Sequence, residues 1–268
     1  MTSLRDKVAV VTGAGSGIGR ETSIALAQKG CHLALVDVNA AGMKETADLI
    51  ATLGLRVSTH VVDVSNKAAM IALPEEVIKE HGRVNIIINN AGVEITKSFE
   101  DQTVDDIEWI VGINFWGVVY GCKFFLPYLR QESEGHIVNV SSMFGFYGIP
   151  AQSSYCATKF AVRGLTESLR AELGNSNIGV TCIHPGAINT NIMKNERTIG
   201  SKLEESSDKL MKYATQPATV AKKIVRGIEK NKRRVRVGPD AYFTDWLVRL
   251  SPILFNMLAG TARKLMGA

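Results

Sequence analysis

Cysteine is scarce and scattered in this sequence. The four cysteines are Cys31, Cys122, Cys156 and Cys182, with no C-x-x-C pair and no histidine at metal-ligand spacing. Neither a disulfide framework nor a zinc site fits this pattern, so we expect no bound metal. Unpaired cysteines are typical of a reducing compartment, and we expect a cytoplasmic protein.

The sequence also lacks a recognisable export signal and an internal linker. Arg5, Asp6 and Lys7 stand where a signal peptide needs its apolar centre, so we expect no secretion signal. No Pro-, Gly- or Ser-rich stretch separates parts of the chain. We therefore predict a single domain over residues 1–268.

A strong excess of charge of one sign is missing too, since the formal net charge is +5. The densest basic run alternates with Val235 and Val237 and is followed by Gly238 and Pro239, which indicates an edge strand with one solvated face. The basic residues of this run are Lys230, Lys232, Arg233, Arg234 and Arg236. An edge strand explains them better than a nucleic-acid surface, and we predict no nucleic-acid partner.

Apolar residues make up 46% of the chain, enough for a substantial core, and they recur in short runs rich in Val and Ile. Runs that are apolar on both sides are expected where helices cover both faces of a parallel sheet. The runs are 8–11, 33–36, 57–62, 84–88, 137–140 and 180–183. We predict a doubly wound α/β fold, Rossmann-like, with about seven parallel strands, helices on both faces and a C-terminal helical extension.

Helix start signals stand between these runs. Ser65 precedes a helix predicted over 66–80, and Thr103 with Asp106 predicts a capped start of a long helix. Ser153 and Ser154 stand at the start of a further predicted helix.

The first predicted strand runs directly into a glycine-rich turn and an amphipathic helix. The turn reads Gly13-Ala14-Gly15-Ser16-Gly17-Ile18-Gly19, with the spacing G-x-x-x-G-x-G. A turn without side chains lets the backbone approach a pyrophosphate, and the helix N-terminus adds unpaired N–H donors and a partial positive charge. We predict a dinucleotide site formed by Gly13, Ser16, Gly17, Ile18 and Gly19.

Asp37 ends the next predicted strand and is the second anchor. An acidic side chain there accepts hydrogen bonds from the ribose hydroxyls and repels a 2′-phosphate. Its neighbour is Val38, and Ser16 occupies the turn, so no arginine or lysine is placed to neutralise such a phosphate. The predicted cofactor is therefore NAD rather than NADP.

Tyr155 and Lys159 predict acid–base chemistry. Hydride transfer to a carbonyl leaves an oxygen that needs a proton, and the reverse reaction must remove one. A free tyrosine has a pKa of about 10, so a nearby positive charge must lower it for the phenol to act as a base near neutrality. Lys159, one helical turn away, is the predicted source of that charge.

A serine after the predicted strand at 137–140 is the candidate for hydrogen bonding to the substrate oxygen. Sequence physics leaves Ser141 and Ser142 both open. Neither lies in a G-x-S-x-G elbow, which disfavours a serine hydrolase.

In their order along the chain, these motifs resemble the short-chain dehydrogenase/reductase family. They are Thr12-Gly13-x-x-x-Gly17-x-Gly19, Asn89-Asn90-Ala91-Gly92, Ser142, Tyr155-x-x-x-Lys159 and Pro185-Gly186, and the resemblance covers roughly residues 7–238. It implies an NAD-dependent oxidoreductase acting on CH–OH groups, and its spacing to the tyrosine selects Ser142 over Ser141. It also implies a homodimer or homotetramer formed through the predicted helices at 103–130 and 153–173.

The resemblance implies roles for further residues. Asp63 and Val64 would border the adenine ring. Asn114 would position a water behind Lys159, which would also hold the nicotinamide ribose; a purely structural role for Asn114 is the alternative. The remaining residues would lie beside the cofactor, at the end of the fourth strand or at the nicotinamide amide: Asn90, Ala91, Gly92, Pro185, Gly186, Ile188 and Thr190.

Two regions concern the substrate side. The polar segment 186–217 is long for a connection and fits a lid over the substrate, with a short helix predicted at 201–213. Side chains after Ser142 predict an apolar wall, with Phe144, Ser142 and Tyr155 in contact with substrate. The wall residues are Met143, Phe144, Phe146, Tyr147 and Ile149.

The tail at 240–268 has an apolar stripe at helical spacing that Pro252 interrupts. It is too short and too broken to span a bilayer comfortably. We expect it to pack on its own core or on a partner subunit; covering the pocket comes second, and lying at a membrane interface third.

The sequence thus predicts an NAD(H)-dependent oxidoreductase that moves a hydride between nicotinamide C4 and a secondary alcohol or ketone, with Tyr155 as general acid/base. The expected substrate is lipophilic or a small hydroxy-ketone. The alternative is a catalytically silent NAD-binding sensor or scaffold of the same fold. Loss of Tyr155, Lys159 or Ser142 would favour that alternative, and none is lost.

Overall fold

The computed structural model describes residue 1, residues 3–189, residues 214–251 and the backbone of residues 197–198. The strands are β1 (Val8–Thr12), β2 (His32–Asp37), β3 (Val57–Val61), β4 (Ile86–Asn89), β5 (Ile95–Thr96), β6 (Gly135–Val140), β7 (Ile178–Pro185), β8 (Arg197–Thr198) and β9 (Arg234–Val237). The helices are α1 (Gly17–Ala27), α2 (Ala40–Ile50), α3 (Lys67–His81), α4 (Val104–Val111), α5 (Gly117–Leu129), α6 (Ser153–Glu172), α7 (Pro217–Glu229) and α8 (Pro239–Leu250).

Seven strands form one parallel sheet in the order β3-β2-β1-β4-β6-β7-β9. The order reverses beside β1, since β2 and β3 lie on one side of it and β4 on the other. An open sheet binds ligands at the carboxyl ends of its strands, at this switch point. The doubly wound fold and the strand number predicted from the sequence are confirmed.

Helices cover both faces of the sheet. One buried cluster joins Leu26 of α1 and Ile224 of α7 to the sheet, and the other joins Met70, Phe125 and Val162 of α3, α5 and α6. Each strand is therefore enclosed on two sides, which explains why β1 and β4 are buried throughout and mainly apolar.

The long helix predicted at 103–130 is α4 and α5 joined by a π turn over Gly112–Trp116. Thr103 caps its start in a capping box with Asp106, as predicted. Among the described residues, 104–129 is the one helical segment long and apolar enough to cross a membrane. Its buried side packs in the sheet core through Val118 and Phe125, so we interpret it as a core helix.

Two predicted helix caps are wrong by one position or more. Asn66, not Ser65, caps α3 by accepting from the N–H of Ala69, while the Ser65 hydroxyl donates to Asp63. Helix α6 already includes Ser153, and Gln152 is its N-cap residue, without a side-chain capping bond.

Strand β9 is an edge strand, as predicted, but its basic face is only partly solvated, since Arg234 and Arg236 are half-buried while Lys232 and Arg233 are exposed. Helix α8 covers it, and the carboxylate of Asp245, only 3% exposed, pairs with three arginines. Its oxygens lie 2.7 Å from Arg236, 2.9 Å from Arg249 and 3.3 Å from Arg234. A buried carboxylate thus pairs with Arg234 and Arg236, whose side chains the sequence pattern assigned to solvent.

Candidate active site

The glycine-rich turn lies at the carboxyl end of β1, where α1 begins at Gly17 without an acidic side chain in its first turn. Gly13 has φ +68°, a conformation that side chains disfavour. A Cβ on Gly19 would lie 2.0 Å from the carbonyl oxygen of Gly13. The turn therefore requires glycine at both positions and leaves the N-terminus of α1 open.

Thr12 ties this turn to the end of β4. Its hydroxyl oxygen accepts from the backbone N–H groups of Asn90 and Ala91 at 2.9 and 3.0 Å. In return, the Asn90 amide donates to the Thr12 carbonyl at 2.8 Å. These bonds hold the two predicted cofactor segments side by side.

Asp37 lies at the end of β2 against the glycine turn. One carboxylate oxygen accepts from the N–H of Gly15 at 2.8 Å, and the other accepts from the N–H of Asn39 at 2.9 Å. The nearby Arg20 is already bonded to Gly15, Gly42 and Glu45. Asp37 is thus fixed at the cavity edge, and Arg20 is engaged elsewhere.

A cavity of about 430 Å³ runs from Asp37 along the carboxyl ends of the strands to Tyr155. Nearly all of the predicted site residues line it: Gly13, Ser16, Gly17, Ile18, Asp37, Asp63, Val64, Asn90, Ala91, Gly92, Ser142, Phe144, Tyr155, Lys159, Pro185, Gly186 and Ile188. Gly19 and Asn114 support it from behind, and Thr190 lies outside the described residues.

Ser141 and Ser142 differ clearly in their contacts. The Ser141 hydroxyl donates to the carbonyl of Lys159 at 2.8 Å and is buried behind the site. The Ser142 hydroxyl hydrogen-bonds the phenol of Tyr155 and accepts from the N–H of Phe144. The structure therefore places Ser142, not Ser141, beside the tyrosine.

Lys159 lies next to Tyr155 on the same face of α6. Its ammonium is 5.5 Å from the centre of the tyrosine ring and donates to the carbonyl of Val140 at 3.2 Å. A Cβ on Gly92 would lie 3.4 Å from that ammonium, so the glycine leaves room for it.

Asn114, fully buried in the π turn, bonds both backbone groups of Val93. Its amide oxygen accepts from the Val93 N–H at 2.8 Å, and its amide nitrogen donates to the Val93 carbonyl at 2.9 Å. A π turn of this kind is frequent at functional sites. These contacts give Asn114 a structural role; its part in a proton relay stays a prediction.

The charge state of Tyr155 departs from the sequence expectation. Burial raises the pKa of its phenol, the carboxylate of Glu94 raises it further, and only the hydrogen bond with Ser142 lowers it. Burial also lowers the pKa of Lys159 to about 8, against the opposing effect of Glu94. In this site the tyrosine is a protonated acid beside a lysine that still carries its charge at neutral pH.

The predicted apolar wall holds only in part. Met143 and Phe144 line the cavity, and Tyr147 packs edge-on against Phe144. Phe146 instead stacks on the buried His184, 4.3 Å between ring centres, behind the site. The 3-10 turn at Met143–Gly145 directs these neighbouring rings to different sides.

Sequence reasoning missed Glu94 and Gln152. Glu94, half-buried, lines the cavity near Tyr155 and Phe144. Gln152, at the start of α6, donates a hydrogen bond to its carboxylate and another to Thr96. The available signal was the place of Glu94, two residues after Gly92 and immediately before β5.

Asp240 of α8 was also missed. Its carboxylate accepts from the N–H of Ala187 at 2.6 Å, and a Cβ on Gly186 would strike both of its oxygens at 2.1 Å. Helix α8 therefore holds the turn after β7 in place, which explains why that turn needs glycine.

The residues present fit a dinucleotide. The cavity offers an open helix N-terminus for a pyrophosphate and a carboxylate at one end, with the tyrosine, serine and lysine at the other. Within the described part of the chain, no group of three or more His, Cys, Asp or Glu side chains could hold a metal ion.

Comparison with known proteins gives consistent matches. The profile of the family described as short chain dehydrogenase matches residues 7–199. The chain is 39% identical to a Mycobacterium tuberculosis protein described as oxidoreductase SadH, over 98% of both chains. It is 33% identical to human estradiol 17-beta-dehydrogenase 11, over 98% of this chain and 84% of that one.

Among solved structures, a short chain dehydrogenase/reductase from Burkholderia phymatum in complex with NAD superposes with a TM-score of 0.86. The match covers 95% of this chain and 96% of that chain at 29% identity. The family match spans most of the chain, and the sheet order and site geometry agree with it. The chain is therefore a member of the short-chain dehydrogenase/reductase family and an oxidoreductase.

Proposed function

We propose that this protein is an NAD(H)-dependent dehydrogenase/reductase that interconverts a secondary alcohol and a ketone. The observation that supports this most directly is that the glycine turn, Asp37, Ser142, Tyr155 and Lys159 line the same cavity. The family membership supports the reaction class. The alternative function, a catalytically silent NAD-binding sensor, would be favoured by the loss of Ser142, Tyr155 or Lys159. All three residues are present and line the cavity.

In the direction of carbonyl reduction, the protonated phenol of Tyr155 serves as the proton donor. The phenol donates its proton to the substrate oxygen, and the Ser142 hydroxyl hydrogen-bonds the same oxygen. The charge of Lys159 stabilises the phenolate that remains. Bound NAD(H) supplies the hydride, and its oxidised ring supplies a positive charge that favours the phenolate for the reverse reaction.

Asp37 supports NAD rather than NADP. Its negative charge opposes a 2′-phosphate, and Arg20 is engaged by Gly15, Gly42 and Glu45. The solved relative from Burkholderia phymatum is described in complex with NAD, which agrees with this choice.

We also propose a lid and an oligomer, as the sequence predicted. The backbone of 197–198 pairs with β5, next to Glu94, so part of the segment 186–217 lies beside the cavity mouth.

On α5 and the π turn, Trp116, Tyr120 and Phe124 stack at 5.6 Å intervals, and Trp116 is 45% exposed. This row suits contact with a second copy of the chain. A cytoplasmic location remains a prediction.

The substitution Tyr155→Phe tests the proposed reaction. It removes the acid without changing ring size, so we expect NADH affinity within about twofold of the native value while kcat for ketone reduction falls by about 10²–10⁴-fold. NADH fluorescence titration and absorbance at steady state measure the two quantities. Tyr128→Phe, on the far end of α5, is the matched control. Near-native turnover in Tyr155→Phe would remove the tyrosine from this role.

A further inference from the structure

Glu94 places a carboxylate in the substrate half of a cavity whose other lining there is mainly apolar. Its neighbours in the lining are Val93, Met143, Phe144 and Ile188, beside Ser142 and Tyr155. A charged group at such a position costs desolvation unless it has partners. A small number of polar groups in an apolar pocket fix the orientation of a ligand.

The carboxylate is held in place. Gln152, which is 9% exposed, donates from its amide to Glu94 and to Thr96 at the same time. Gln152 precedes Tyr155 by three positions at the start of α6, so one element carries the tyrosine and the group that holds Glu94. Glu94 lies in the segment between β4 and β5, and its bond to Gln152 ties it to the start of the helix that carries Tyr155.

Glu94 also interacts electrostatically with Tyr155 and Lys159. The charge of Glu94 raises the pKa of Tyr155 and the pKa of Lys159, which means that it lies within electrostatic reach of both. Glu94, Ser142 and Tyr155 line the same cavity, so a substrate whose reacting oxygen lies between Ser142 and Tyr155 shares that cavity with the Glu94 carboxylate.

We propose that Glu94 is a specificity-determining residue that selects substrates with a hydrogen-bond donor, a hydroxyl group, on the carbon next to the reacting one. The preferred substrates are then α-hydroxy ketones and the vicinal diols that correspond to them, on an apolar frame. This inference rests on the proposed function and narrows its substrate class. A hydrogen bond to a charged group contributes enough to give about a 10- to 100-fold preference.

The test compares two ketones that differ by one hydroxyl group: 2-hydroxycyclohexanone and cyclohexanone, each with NADH. We expect kcat/KM for the hydroxy ketone to exceed that for the plain ketone at least tenfold in the native protein. Glu94→Leu keeps the volume and removes the acceptor, so the ratio should fall to about one. Glu94→Gln keeps an acceptor without its charge, so its ratio should be intermediate. Glu100→Gln, an exposed carboxylate six positions on, should keep the native ratio.

NADH affinity and thermal unfolding of each variant show whether the fold and the cofactor site persist. A native ratio near one, or a ratio that Glu94→Leu leaves unchanged in a folded protein, overturns the inference while the proposed function stands. If the native protein binds NADH and reduces neither these ketones nor open-chain, steroid or retinoid carbonyl compounds, the proposed function fails and the inference fails with it.

Discussion

At the scale of single residues, the site is governed by one carboxylate, one phenol and one ammonium. Burial alone makes the phenol of Tyr155 harder to ionise, and Glu94 adds to that effect. Lys159 keeps its charge because Glu94 opposes the loss of charge that burial causes. The same carboxylate thus disfavours the phenolate and preserves the cation that would stabilise it.

Glu94→Gln is predicted to shift the pH dependence of alcohol oxidation to lower pH. Alcohol oxidation needs the phenolate of Tyr155. Glu94 and the Cys156 side chain raise the pKa of the Tyr155 phenol. Lys159 is the cation that lies against its ring. Removing the negative charge of Glu94 lowers the pKa of the Tyr155 phenol. The pH range in which log kcat rises therefore shifts to lower pH. Glu100→Gln should leave this pH range unchanged. A shift to higher pH, or none, would contradict this electrostatic account.

Asp37→Asn is predicted to weaken the discrimination between NADH and NADPH. The change keeps an oxygen that can accept from Gly15 but removes the charge that repels a 2′-phosphate. We expect the ratio of Kd for NADPH to Kd for NADH to fall by about tenfold or more. A change of this size corresponds to the free energy of one interaction that involves a charged group. Fluorescence titration measures both constants. Asp48→Asn, on the exposed side of α2, is the control, and an equal change there would rule out a local cause.

At the scale of elements, the ends of strands and helices place the chemistry. Strands β1, β4, β6 and β7 end at one edge, and each end carries a segment of the site: the glycine turn, Asn90, Ser142 and Pro185. Helix α6 then adds Tyr155 and Lys159 from one face. These segments are far apart in the sequence, but they meet in space because parallel strands bring their carboxyl ends to the same edge of the sheet.

Helix caps give the element-scale prediction. Asn66→Ala removes the side chain that accepts from the N–H of Ala69, and we expect the free energy of unfolding to fall by about 1 kcal/mol. Ser65→Ala, which removes only an exposed bond to Asp63, should have a smaller effect. Urea denaturation of the two variants measures the difference. The reverse order would mean that the cap lies at Ser65 after all.

At the scale of the whole molecule, helix α8 fixes the last strand of the sheet and the turn after β7. Asp245 of α8 neutralises the arginines of β9, and Asp240 holds the turn after β7. A truncation at 240 would remove both carboxylates, so it would test stability together with any role of the tail. A truncation after Ser251 keeps both and is the cleaner test of residues 252–268, which lie outside the described residues.

Trp116→Glu is predicted to shift the proposed oligomer toward smaller species. It puts a charge at the exposed end of the stacked row with Tyr120 and Phe124, where an apolar partner surface would have to desolvate it. Sedimentation velocity at several concentrations measures the shift. Phe99→Glu, at a residue 70% exposed in the loop before α4, is the control. An unchanged distribution in Trp116→Glu would exclude this face as the interface.

Sequence alone was enough for the strand pattern, the glycine turn, Asp37 and the pair Tyr155 and Lys159. Apolar periodicity, glycine spacing and the helical interval of four residues are local properties, and local properties are read directly from the order of residues. The capping box at Thr103 belongs to the same class.

The family resemblance selected Ser142 over Ser141, and the tertiary structure gave the contacts that separate the two serines. Only the tertiary structure decided why β9 is covered, where Phe146 points and that Glu94 shares a cavity with Tyr155. Each depends on contacts between segments far apart in the chain, such as Ser141 with Lys159 or Asp245 with Arg234. The pKa of Tyr155 depends on burial, which no spacing rule contains. The chemistry of the site was thus encoded locally, while its charge balance and its substrate-facing side arose from packing.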